Sequence, residues 1–156
     1  MADYATFTIK KGIISPMIEL DNRYNAEVDV AFLESIAKLF SQKDIELIIT
    51  NDEEILEINK EHRNIEKATD VLSFPYEDAP MMPLGTIVIS YDFVKKVAQK
   101  LGHSNSDELA LLFIHGLLHI LGYDHEIDNG QMRQKEEELI KKFNLPKSLI
   151  VRTEES

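Results

Sequence analysis

The chain has 156 residues, of which 44% are hydrophobic and 29% are charged, and its formal net charge is −11. This balance is typical of a folded globular protein, and the length predicts one domain spanning residues 1–156. Because the chain has no cysteine, disulfides and thiolate metal sites are excluded, and any metal ligand must be His, Asp or Glu. The acidic charge argues against broad electrostatic attraction to nucleic acid or to an anionic membrane, and no DNA partner is expected.

The N-terminal sequence MADYATFTIKKGIIS lacks the charged and then apolar plan of a secretory signal. The most apolar run, residues 109–121, is too short to cross a bilayer, which takes about 20 residues. We therefore expect a cytoplasmic protein with no membrane partner, in which this run forms a buried helix.

The first part of the chain predicts two strands, each followed by a helix. Residues 4–10 alternate with period two, and residues 44–50 are rich in strand-forming side chains. Asp29 can cap a helix that extends to about Phe40, and Asn51 can cap a second helix. A strand followed by a helix favours a layered arrangement of sheet and helices.

The middle of the chain predicts two more strands and a helix. The first strand, residues 69–75, ends at a proline, which cannot donate to a strand ladder, and residues 84–90 form the next strand. A helix should then begin at Ser90 or Asp92 and extend to about Leu101.

The last part of the chain predicts two helices and a frayed tail at residues 151–156. Ser106 can cap the first helix, which should stop at Gly122 because glycine adopts the left-handed conformation that ends helices. The second helix covers residues 130–143. The elements together predict an α+β fold with a small mixed sheet of about four strands packed with about five helices.

Three of the five histidines lie in HGLLHILGYDH, residues 115–125. Residues four apart share a helix face with Cβ atoms about 5–6 Å apart, so His115 and His119 can reach one ion. Gly122 lets the chain turn back, so that His125 can reach the same ion from another side. Three neutral histidine nitrogens leave one position of a tetrahedral zinc for water. The motif therefore predicts a catalytic metal site on a helix and the turn that follows.

Three alternatives are open at this motif: core histidines without a metal, a metal other than zinc, and the zinc site of a peptidase. Core histidines that donate to backbone carbonyls would explain an isolated pair, but the third histidine and the glycine favour a metal. Zinc suits three histidines best, although nickel, copper or cobalt could occupy the same ligands. The spacing also matches the metzincin proteases, except that Gly116 stands where the glutamate base of peptide hydrolysis is needed. A zinc peptidase is therefore the second candidate.

The same motif, together with the upstream INKEHRNIEKATDVLSFP, closely resembles the YbeY family of bacterial endoribonucleases. The family pattern H-G-x-L-H-x-x-G-Y-D-H is filled at every position, and Asn59, Arg63 and residues 69–75 fit N-x-x-x-R and T-D-V-L-S-F-P. The likeness extends over most of residues 4–143. Two positions depart from the pattern: Thr86 stands where the family usually has aspartate, and His62 stands where an aromatic residue is common.

The resemblance implies a metal-dependent endoribonuclease that acts on single-stranded RNA. It implies a role in ribosomal RNA maturation, particularly at the 3′ end of the small-subunit RNA, and in ribosome quality control. One zinc per chain would be held by His115, His119 and His125, and Arg63 would be the functional arginine. Partners would be the RNA, the ribosome and ribosomal or other assembly proteins. A ribosome-associated protein in which zinc is only structural is a further alternative.

Zinc can lower the pKa of a bound water to about 7 and can offset charge on a phosphoryl oxygen. The planar guanidinium of Arg63 matches a phosphate, or it forms only a surface salt bridge. The attacking group is either zinc-activated water or the RNA 2′-hydroxyl. Asp124 either orients a ligand histidine or forms a turn, and Asp70 either braces the Arg63 loop or is a solvated turn residue.

Six of the 17 lysines and arginines could form one positive patch if the fold brings them together: Lys60, Arg63, Lys67, Lys95, Lys96 and Lys100. Few phosphate contacts predict weak RNA binding with a shallow salt dependence. The segment RQKEEELIKK, residues 133–142, is expected to be a solvated helix face. Met132 is expected to be a helix-core methionine rather than a residue beneath the metal.

Overall fold

A computed structural model of the chain describes residues 17–64 and 69–147. Within these residues the elements are β1 (Ile18–Asn22), α1 (Val30–Ala37), β2 (Ile45–Thr50), α2 (Asp52–Arg63), β3 (Val71–Pro75), β4 (Gly85–Ser90), α3 (Tyr91–Leu101), α4 (Asn105–Ile120) and α5 (Gln131–Phe143). The predicted α+β fold with four strands and five helices is confirmed for the described part. The strand predicted at residues 4–10 and the tail at 151–156 lie outside it.

The four strands form one mixed sheet in the order β1-β2-β4-β3. β1 and β4 both lie parallel to β2, whereas β3 lies antiparallel to β4 at one edge. Pro75 ends β3, at the edge of the sheet, where the missing N–H costs least.

The two faces of the sheet are covered by different helices. Successive side chains of a strand point to opposite faces, so Val88 lies on one face and Ile87 and Ile89 lie on the other. Val88 packs in a small cluster with Ile55 of α2 and with Leu72. Ile87 and Ile89 belong to the main core, which includes residues of the other four helices. α2 and α4 therefore lie on opposite faces of the sheet.

Most helix starts follow from capping side chains that the sequence predicts. Asp29 Oδ1 accepts a hydrogen bond from Phe32 N at 3.1 Å, and Asn51 Oδ1 accepts one from Glu54 N at 2.9 Å. The predicted start of α4 at Ser106 is wrong, because Ser104 is the cap and its Oγ accepts a hydrogen bond from Asp107 N at 3.0 Å. The cap oxygen bonds to the amide three residues on, and Ser104 has that spacing to Asp107.

β1 was not predicted because its alternation of apolar and polar residues, from Ile18 to Asp21, covers only four residues. Ile18 is buried, but the next three residues of IELDN are exposed. A strand at the sheet edge has a partner on one side only, here β2, so its side chains can stay in solvent. The pairing with β2, and not the local pattern, identifies this strand.

Candidate metal centre

The structure brings His115, His119 and His125 together. His115 and His119 lie one turn apart on α4, and His125 follows the turn after the helix. One ligand nitrogen from each of the three residues lies within 4.8 Å of the other two. Nε2 of His115 and Nε2 of His119 are 3.2 Å apart. This is the convergence that the spacing predicts.

The turn after α4 brings His125 back toward the helix. Gly122 has a φ of 102°, and its N–H donates to His119 O at 3.0 Å. Tyr123 N donates to Leu118 O at 3.0 Å, which completes a Schellman motif. These bonds confirm the predicted role of Gly122 in ending the helix. Glycine suits the position because a side chain would be strained at this φ.

Gly116 allows α4 to pack close to the sheet beside the first histidine. A Cβ atom at this position would lie 3.0 Å from Cγ2 of Ile87 and 3.2 Å from Cγ2 of Val71. Position 116 therefore faces β3 and β4. A glutamate here would crowd these two side chains, and the chain has glycine at the position that supplies the general base in metzincins.

The hydrogen bonds of two histidines show which ring nitrogen is left for a metal. His115 Nδ1 lies 2.7 Å from Oε2 of Glu136, and His119 Nδ1 lies 3.0 Å from the carbonyl oxygen of Tyr123. A carboxylate and a carbonyl only accept, so both Nδ1 atoms must carry the proton and donate. In neutral rings both Nε2 atoms are then bare acceptors, facing each other at 3.2 Å.

Two bare nitrogens at this distance repel each other unless a cation lies between them. The third histidine adds to this picture, since His125 Nδ1 is buried and has no hydrogen-bond partner among the described residues. Three nitrogen donors, two of them oriented by hydrogen bonds from the other ring nitrogen, are the donor set that zinc and related divalent ions prefer. The residues present therefore fit a bound metal ion.

Burial favours the neutral form of one candidate ligand. The pKa of His119 is lowered from its ordinary value, first by burial and then by repulsion from His115 and His125 when those are charged, while the Tyr123 carbonyl acts in the opposite direction. A lowered pKa favours the neutral imidazole, which is the form that coordinates metal.

Arg63 is exposed and is the last residue of α2, on the opposite sheet face from α4. Within residues 17–64 and 69–147 it makes no hydrogen bond or ion pair with the histidines. Asp70 Oδ1 accepts from Val71 N at 2.8 Å, and Asp124 Oδ1 accepts from Glu126 N at 3.0 Å. Both carboxylates therefore make local turn contacts.

Glu136 was not predicted as a site residue, and the expected solvated face at residues 133–142 is wrong at this position. Glu136 is 1% exposed and lies on the inner face of α5 with Met132 and Leu139. The burial of Met132 confirms the expected core methionine. The signal was the i, i+4, i+7 spacing of these three residues, which places a glutamate in an otherwise apolar stripe.

Three of the six residues predicted to form a basic patch lie together on α3. Lys95, Lys96 and Lys100 line a concave surface of about 710 Å³ together with Asp92 and Gln99. Lys60 and Arg63 are not in this lining, and Lys67 lies outside the described residues. We call the surface with the three lysines the α3 surface.

The two departures from the family pattern both make local contacts. Thr86 Oγ1 donates to Glu46 Oε1 at 2.7 Å, and the Tyr76 hydroxyl donates to the same oxygen at 2.6 Å. The ring of His62 lies 5.4 Å from that of Phe74, where it packs as another aromatic ring would.

In residues 17–64 and 69–147 no helix has the length and apolar character needed to cross a membrane.

The fold and the histidine cluster define a small α+β protein with a candidate metal centre on one helix and the turn that follows it. A family model described as Endoribonuclease YbeY matches residues 15–144. A protein of that description from Nautilia profundicola is 63% identical over 139 residues, which cover 89% of this chain and 100% of that protein. One from Sulfurimonas denitrificans is 56% identical over 138 residues, covering 88% and 99% of the two chains. The chain therefore belongs to the YbeY family of endoribonucleases, as the motifs predicted.

The fold is also similar to a solved structure. The solution structure of TM1509 from Thermotoga maritima matches with a TM-score of 0.53 and 26% sequence identity, over 80% of this chain and 87% of that one.

Proposed function

We propose that the whole chain, residues 1–156, is a single endoribonuclease domain that cuts single-stranded RNA with one zinc ion held by His115, His119 and His125. The observation that carries this proposal is the meeting of three histidine nitrogens within 4.8 Å in a member of an endoribonuclease family. Zinc is the ion that this donor set favours, and nickel or another divalent ion is an outcome that metal analysis would distinguish.

When bound, zinc supplies a Lewis acid that stabilises charge on a phosphoryl oxygen and lowers the pKa of water. The chain supplies the geometry. Glu136 and the Tyr123 carbonyl hold the rings of His115 and His119, so that the ligands need little reorganisation when RNA arrives. No protein carboxylate stands at position 116 as a base, so either water or the RNA 2′-hydroxyl can be the attacking group in this proposal.

Arg63 is proposed to hold the scissile phosphate. Its guanidinium is exposed at the end of α2, and its fork of donors fits two phosphate oxygens. α2 and the histidine helix lie on opposite faces of the sheet, with β3 as the edge between them. An RNA strand that passes this edge would contact both Arg63 and the histidine cluster. Arg63 and the metal would then together neutralise the charge of its phosphates.

The experiment that tests this function is cleavage of an unpaired RNA by the purified chain with and without zinc. Arg63→Ala should abolish cleavage while leaving the circular dichroism spectrum and the zinc content unchanged. Arg133→Ala, a change of a half-exposed arginine that is paired with Glu137 on α5, is the matched control and should cut normally. Full cleavage by the Arg63 variant would remove this residue from the mechanism.

The zinc peptidase and the structural-zinc alternative predict different experimental results. A peptidase would need a base at position 116, where the backbone lies against Ile87 and Val71; zinc-dependent cleavage of casein would support it. A purely structural zinc predicts that His119→Ala lowers the melting temperature and that the intact chain cuts no RNA.

The resemblance supports a more specific cellular role for the same site. We assign the chain to maturation of the 3′ end of small-subunit ribosomal RNA and to ribosome quality control in the cytoplasm, with the ribosome and assembly proteins as partners. With a net charge of −11, the chain needs such partners to add affinity for RNA. Mapping of the RNA 3′ end in cells that carry only the His119→Ala chain should show unprocessed ends, and normal ends would refute the assignment.

A further inference from the structure

A buried carboxylate connects α5 to the candidate metal centre. Oε2 of Glu136 lies 2.7 Å from Nδ1 of His115, and the two side chains are only 2% and 12% exposed. α5 supplies none of the three histidines, so Glu136 is the contribution of this helix to the centre. The pair places a buried acidic side chain of α5 directly against one of the three clustered histidines.

We propose that Glu136 is a positioning residue that holds His115 in the tautomer with a bare Nε2 and thereby sets the affinity of the centre for its metal. This inference rests on the metal site of the proposed function. An ionised carboxylate can only accept a hydrogen bond, so it requires the proton of the neutral imidazole to be on Nδ1. It also fixes the rotation of the ring, and its negative charge makes the ring a stronger donor to a cation.

The distance between the two histidines explains why the tautomer matters. With Nε2 of His115 and of His119 3.2 Å apart, a proton on His115 Nε2 would be donated to His119 Nε2. The resulting hydrogen bond between the histidines would occupy the two atoms that the metal needs. Glu136 prevents this competing state because it keeps the proton on the far side of the His115 ring.

The substitution Glu136→Gln separates positioning from space filling. Glutamine has nearly the same shape, but its amide group can donate to Nδ1, which permits the competing tautomer. We expect zinc to bind about 10- to 100-fold more weakly to this variant than to the wild type, as is typical when a hydrogen-bond partner of a ligand histidine is changed.

The chain contains a matched control for this substitution. His103 Nε2 lies 2.7 Å from Oε1 of Glu108, and these side chains are also 12% and 2% exposed. This pair involves none of the three histidines of the centre. Glu108→Gln should therefore reproduce any general effect of replacing a buried glutamate beside a histidine, and it should leave zinc affinity unchanged.

The test measures zinc affinity of the full chain by competition with a chromophoric chelator for the wild type, Glu136→Gln and Glu108→Gln, with cleavage of unpaired RNA recorded separately. Weaker binding by the Glu136 variant alone supports the proposal. Equal affinities for all three chains would overturn it, as would equal losses in both variants. A wild type that binds zinc but cuts no RNA would refute the proposed function and leave this inference standing.

A second measurement needs no variant and remains decisive if Glu136→Gln fails to fold. Long-range proton–nitrogen NMR of the metal-free wild type at about pH 8, above the ordinary histidine pKa, reports which nitrogen of each neutral ring is protonated. The proposal requires the Nδ1–H tautomer for His115. A proton on Nε2 of His115 would overturn it.

Discussion

Replacing Gly116 by alanine tests how closely α4 must approach the sheet. The added Cβ would lie 3.0 Å from Cγ2 of Ile87 and 3.2 Å from Cγ2 of Val71, both shorter than ordinary van der Waals contact. Ile87 is fully buried and cannot move without disturbing the main core. Overpacking of this kind costs about 1–3 kcal/mol, whereas alanine gains about 1 kcal/mol over glycine in a helix.

The net expectation is that Gly116→Ala lowers the free energy of unfolding by about 0–2 kcal/mol, measured by urea denaturation. Val71→Ala removes one of the two contacting methyl groups, so Gly116→Ala should cost less in that background, and the double-mutant cycle gives the coupling. Zinc affinity should also fall, because a displaced α4 carries His115 with it. A stabilising effect of about 1 kcal/mol with no coupling to Val71 would mean that helix propensity alone acts here and would refute the close approach.

Three further predictions concern separate parts of the chain. Thr86→Asp should lower the unfolding free energy by about 1–3 kcal/mol at neutral pH, because a carboxylate replaces the hydroxyl that donates to Glu46. Part of that loss should recover below about pH 5, where one of the two acids takes up a proton, and a pH-independent loss would contradict this reasoning. Replacing the three lysines of the α3 surface by glutamate should weaken binding to single-stranded RNA. The slope of log affinity against log salt concentration should fall by about 0.7 for each lost phosphate contact. The same change at Lys141 and Lys142 should have neither effect, and equal effects at the two places would exclude this surface. The metal-free chain should lose stability in thermal melts as the pH falls below about 6.5, because the folded-state pKa of His119 is lowered and the unfolded state then binds more protons; a gain on acidification would contradict the assigned direction.

Low pH should also reduce the metal content of the chain. Protonated imidazole cannot coordinate, so the metal should be released below about pH 6 as measured after dialysis. Unchanged metal content at that pH would be incompatible with a histidine site.

Local signals in the sequence predicted most of the fold. The cap residues Asp29 and Asn51 set the starts of α1 and α2 through bonds to amides three residues away, and such bonds depend only on nearby residues. The buried strands β2 and β4 are likewise marked by apolar side chains. β1 was missed because, as an edge strand, it is specified by its pairing with β2 more than by its own side chains.

The candidate metal centre likewise depends partly on neighbouring residues and partly on residues distant in the sequence. The spacing of His115 and His119 and the glycine turn before His125 are local, so the convergence of the histidines could be predicted. Glu136 lies 21 residues from His115, and only the packing of α5 on α4 brings the two together. Interleaved charges around Glu136 hid it, because the segment as a whole has the composition of a solvated face.

The α3 surface and the overall acidity of the chain together limit its affinity for RNA. Repulsion from a chain with a net charge of −11 opposes RNA, and the α3 surface offers only three lysines against it. Affinity for isolated RNA should therefore be modest, and a salt slope that corresponds to many neutralised phosphates would be inconsistent with this surface.

The central claim is that three histidines bind one metal ion, and the direct measurement is the metal content of the purified chain by mass spectrometry. The wild type should carry about one equivalent of zinc or another divalent ion, and His115→Ala, His119→Ala and His125→Ala should each lose it while remaining folded. A wild type without metal, or three variants that retain it, would contradict the account.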